Sequence, residues 1–101
     1  MDGNDRYTEL LEAAVSTLGL EGYDPSSRRA QFCTARFAVA LKLSQEGWSE
    51  NAIGRAMGRD RASVNHMKRR MKDMLSLPGM YPEAAEIWRT LNGERTWTGK
   101  G

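Results

Sequence analysis

Apolar residues recur at three- and four-residue spacing along most of this chain, and apolar–polar alternation never runs long enough to suggest a half-buried strand. Glycine and proline cut the helical pattern into blocks. The expected fold is therefore all-α, a compact bundle of about five helices, and 101 residues allow a single core. The first block, Tyr7 to Leu18, sets Leu11, Ala14, Val15 and Leu18 on one stripe, with Gly19 as its stop. "EGYDPSSRR" reads as a loop. Pro25 disfavours helix before it, and Ser26 or Ser27 can cap a second helix from about Arg28 to Leu43, with Cys33, Phe37, Ala40 and Leu41 on one inward face.

Gly47 breaks that block. A short third helix, about Ser49 to Met57, has Ser49 as its cap and buries Ala52, Ile53, Ala56 and Met57. Gly58 ends it, and after Arg59 comes Asp60, a cap for a fourth helix from about Arg61 to Leu75. Val64, Met67, Met71 and Met74 point inward there, while Arg61, Asn65, Lys68, Arg69 and Lys72 point outward. "SLPGMYP" is a turn, and Pro82 suits the first turn of a fifth helix ending near Leu91, with Ala84, Ile87, Trp88 and Leu91 inward. Residues 1–6 are expected as an acidic leader, 7–92 as the domain, and 93–101, with Trp97, as a frayed tail.

The net charge of +2 hides a segregation. Residues 1–24 hold six acids and one base, whereas 25–75 hold eleven bases and four acids. A basic middle suits a polyanion, because Lys and Arg that neutralise phosphates release condensed counterions. The competing explanation is a solvated helix face. No apolar run approaches the roughly 20 residues of a membrane span. The acidic, polar start does not read as a secretory signal, and one cysteine fits a reducing cytoplasm. One histidine, one cysteine and no clustered carboxylates give no catalytic pair and no metal site, so neither enzymatic activity nor a cofactor is expected.

Short helix, glycine turn and longer basic helix form a helix-turn-helix order. In that motif the second helix enters the DNA major groove and presents its N-terminal side chains to base edges. The expected partner is double-stranded DNA, with a homodimer or a protein partner as further possibilities. The alternative is a protein-interaction module that keeps the same helices and binds through the acidic leader or the tail.

"IGRAMGRDRASVNHMKRRM" resembles the signature of the C-terminal DNA-binding domain of DnaA, the bacterial replication initiator. That family reads approximately I-G-R-A-F-G-R-D-H-T-T-V-L-H-A. Ile53, Gly54, Arg55, Ala56, Gly58, Arg59, Asp60, Val64 and His66 match by identity. The likeness covers about residues 7–92, and the chain has no G-x-x-x-x-G-K-[ST] phosphate loop. It looks like the DNA-binding domain alone, a Trp-repressor-like fold without an ATPase, in a bacterial or phage-infected cytoplasm.

The resemblance implies roles. Asp60 would accept from a base, and cytosine's amino group suits it; its plain alternative is a helix cap. The family's histidine and paired threonines fall at Arg61, Ala62 and Ser63, where Arg61 favours guanine and Ala62 keeps only a methyl for thymine. His66 would meet a phosphate, Arg28 and Arg29 would enter the minor groove, and Arg36 would lie near the backbone. Arg59, Lys68 and Arg69 would add phosphate contacts. The triplet at Arg61–Ser63 departs from the family, which leaves the target sequence open.

Overall fold

The computed structural model describes residues 3–17 and 30–93. Five helices follow in order: α1 Gly3–Thr17, α2 Ala30–Gln45, α3 Glu50–Met57, α4 Arg61–Leu75 and α5 Pro82–Leu91. Among the described residues there is no strand, so the all-α expectation holds. No described helix is long and apolar enough to cross a membrane.

The bundle is organised around α2, which packs against each of the other four helices. Ala35, Ala38, Val39, Ala40, Leu41 and Leu43 are buried around its whole circumference. A helix that is apolar on every side belongs inside a fold. Its alanines let neighbouring helices approach closely, while Leu10, Ile53, Val64, Met71 and Ile87 from the other four helices close the core. The methionine face expected for α4 is buried as a unit: Val64, Met67, Met71 and Met74. Ala84, Ile87 and Leu91 of α5 are buried, and Trp88 packs partly against them.

Three expectations are corrected. On α3 only Ile53 of the expected stripe is fully buried, and Ala52, Ala56 and Met57 are partly exposed. The first helix begins at Gly3, four residues before the expected Tyr7. Its first turns are held by Arg6, whose guanidinium pairs with Glu46 beyond the end of α2 and with Glu9 one turn on. That long-range pairing has no trace in local periodicity. The helix buries Leu10, Ala14 and Val15, whereas Leu11 is only partly covered. On α2, Cys33 and Phe37 are half-buried, and Phe32 and Arg36 take the covered positions. Cys33 is not the core residue that its helical spacing predicts. The expected loop before α2, its serine caps, Leu18 and the tail with Trp97 lie outside the described residues.

The α3–α4 connection follows its sequence signals closely. Ser49 Oγ accepts the Ala52 N–H at 3.1 Å and starts α3. Gly58 adopts φ 70°, the left-handed conformation that ends helices, and the Arg59 N–H donates to the Gly54 carbonyl at 2.8 Å. Asp60 Oδ1 then accepts the Ser63 N–H at 2.7 Å and starts α4. Gly54 has a separate reason to be glycine: a Cβ there would stand 2.6 Å from the Arg59 carbonyl oxygen. The short helix can therefore fold its end tightly against the turn that aims α4.

Candidate nucleic-acid interface

With four methionine and valine side chains committed to the core, the opposite side of α4 is set by the 100° step of the helix. Ala62, Asn65 and Arg69 lie along its centre, with His66, Lys72 and Asp73 beside them, and all six are exposed. The first turn of α4 stands between two open grooves. One, of about 530 Å³, is lined by Cys33, Arg36 and Phe37 of α2, by Arg59 and Asp60 of the turn, and by Ala62, Ser63, His66 and Met67. The other, of about 380 Å³, is lined by Glu50, Arg61, Ala62 and Asn65. Ala62 borders both and forms the crest between them.

The first groove gathers six of the residues singled out from sequence: Arg36, Arg59, Asp60, Ala62, Ser63 and His66. Five of them lie within residues 59–66, and α2 brings Arg36 to them from more than twenty residues away. Asp60 is held below the usual carboxylate range, first by the backbone N–H of Ser63 and then by the Ser63 side chain. Its capping role is therefore structural fact. A neighbouring base edge would meet a carboxylate already fixed in position. His66 meets Phe37 edge-on, with ring centroids 6.3 Å apart. Arg36 is only 7% exposed, and its Nη2 donates to Cys33 Sγ at 3.3 Å. It is a wall of the groove and not a projecting arm, so an anion would reach it only from within the groove.

Arg61 lies on the other side of the crest. Its side chain is 73% exposed, and its Nε donates to Glu50 Oε1 at 3.0 Å. Lys68, about two helical turns further on, donates from Nζ to Glu50 Oε2 at 3.0 Å and is only 17% exposed. Both cations hold the Glu50 carboxyl below its ordinary range, Arg61 foremost. Lys68 is thus turned toward α3 and away from the centre of the exposed face, unlike Arg69. Arg70 is also drawn aside, its guanidinium 6.0 Å from the Tyr81 ring centroid. Arg28 and Arg29, the expected minor-groove arms, lie outside the described residues.

Two site residues were not among those singled out for contact. Asn65 follows Arg61 by four positions, a spacing that puts both on one side of a helix. Its signal was present in the sequence. Glu50 gives no local signal, because its partners stand 11 and 18 residues away. Among the described residues no group of three or more His, Cys, Asp or Glu side chains is placed to hold a metal ion. Comparison with protein-family models, with curated proteins and with solved structures gave no match.

Proposed function

We propose that this chain is a double-stranded DNA-binding module that reads sequence with the N-terminal half of α4. One observation carries the proposal: Arg61, Ala62, Asn65 and Arg69 form an exposed strip on α4, flanked by Glu50 of α3 and by Asp73, and fixed at its start by the Asp60 cap and the Gly58 turn. A single helix of this width fits the major groove.

In this proposal Arg59, His66 and Arg69 hold phosphates, with Arg36 contributing from the groove wall. Arg61 pairs with guanine, Asn65 with adenine, the Ala62 methyl packs on thymine, and Asp60 and Ser63 meet the adjoining base edges. Arg28 and Arg29 supply minor-groove contacts. Phosphate contacts set register, and the base contacts carry the choice of sequence. The module belongs with DnaA-like helix-turn-helix domains and serves transcription or replication as a regulator without ATPase activity. Support comes from the signature residues and from their gathering around the start of α4.

A protein-interaction module is the second reading, and one observation favours it. Leu77 and Met80 are 50% and 67% exposed in the turn between α4 and α5. That apolar surface lies about 20 Å along α4 from Arg61. It would suit a protein partner or a second copy without obstructing the DNA face.

Selection of bound fragments from a random duplex pool tests the proposal. An enriched motif supports it, and palindromy within the motif would mark a dimer. Recovery of no duplex above background contradicts it.

A further inference from the structure

Glu50 holds two of the cations that a DNA-binding surface would otherwise offer freely. One carboxylate oxygen takes Arg61 Nε and the other takes Lys68 Nζ, each at 3.0 Å. The carboxylate also lines the groove that contains Arg61, Ala62 and Asn65. A phosphate oxygen entering that groove would meet a negative charge. An amino donor on a base edge would not be repelled in this way.

We infer that Glu50 is a specificity-determining residue that withholds Arg61 and Lys68 from the phosphate backbone and orients Arg61 toward bases. The inference rests on the DNA-binding proposal and adds to it. Three charges at the α3–α4 junction act together as one net positive charge. Non-specific binding draws its affinity from cations neutralising phosphates, so pairing two of them internally lowers it. Arg61 gives Glu50 its Nε–H, and its two Nη groups remain as donors for the paired acceptors of guanine. Lys68, the more covered of the two, has only a point charge to offer and is the one kept back.

The test compares wild type with Glu50→Gln on a random-sequence 20-base-pair duplex across 50 to 200 mM salt. Glutamine keeps the shape and the acceptor oxygen but removes the charge. Glu12→Gln is the control for net charge alone, because α1, which carries Glu12, does not pack against α4. Glu50→Gln is expected to bind the random duplex more tightly at 50 mM salt. Its logarithmic salt slope should steepen by about 0.9, as one extra phosphate contact requires. The fourfold salt rise then costs it an additional factor of about 3.5. Glu12→Gln should leave the slope unchanged. If wild type binds and Glu50→Gln shows the wild-type slope and affinity, the inference about Glu50 is wrong while DNA binding stands. If neither protein binds at 50 mM salt, both proposals fall together. Binding by Glu50→Gln alone would support the restraint by Glu50 and contradict DNA recognition by the wild-type protein.

Discussion

Gly54 faces the Arg59 carbonyl so closely that a Cβ would come within 2.6 Å of its oxygen. The contact joins the last turns of α3 to the residue just before the α4 cap, and so sets how α4 is presented. Gly54→Ala would force backbone against backbone, with no flexible side chain able to yield. We expect a loss of about 1–3 kcal/mol in denaturant unfolding. Gly58→Ala has open space but a φ of 70°, and should cost about 1–2 kcal/mol. Gly58→Asn should be milder, since asparagine tolerates that conformation better. A Gly54→Ala protein as stable as wild type would show that the turn has slack.

Met71 is fully buried on α4 where that helix packs on α2. Met71→Ala should destabilise by about 2–5 kcal/mol in the same unfolding assay. Exposed Lys72, its immediate neighbour, should tolerate alanine with little change. Equal effects at the two positions would contradict the assigned face of α4.

Acid should weaken the fold through three carboxylates. Glu46 is held down chiefly by the Arg6 hydrogen bond, Glu50 by Arg61 and Lys68, and Asp60 by the Ser63 N–H. In each case the folded pKa lies below the unfolded one, near 4. The stabilisation is therefore complete above about pH 5 and is lost as pH falls through the folded values. Tm should be flat from neutral to about pH 5 and should drop below pH 4. Asp60→Asn keeps a capping oxygen without the titration and should shallow that drop. A Tm that rises on acidification through this range would contradict the assignment.

These relationships also mark what could be read from sequence. Ser49, Gly58, Asp60 and Pro82 act on backbone groups within a few residues, so the bounds of α3, α4 and α5 were legible. The methionine face of α4 was legible because one helix face meets one core. Helix α2 was not, since it is covered on many sides and its periodicity does not say that Arg36 is buried while Cys33 is half-open. The early start of α1 depends on Glu46, and the restraint on Arg61 depends on Glu50. Both are contacts across the fold, invisible to spacing. The candidate site was legible as a list of residues. Its division into two grooves about Ala62 was not.

Arg61 and Lys68 should behave differently on DNA. Arg61→Ala is expected to cost about 1–3 kcal/mol on the selected site and to relax preference at one position. Lys68→Ala should change little in the presence of Glu50 and weaken all duplexes when combined with Glu50→Gln. A double-mutant cycle on Glu50 and Lys68 measures that dependence directly. Additive effects would mean that Glu50 does not restrain Lys68.

The most direct measurement is duplex binding by the wild-type protein as salt rises from 50 to 200 mM. Two to four phosphate contacts predict that affinity falls roughly ten- to a hundred-fold over that range. The selected sequence should stay ahead of a random one throughout. No binding at 50 mM salt, or binding indifferent to salt, would contradict DNA recognition by α4.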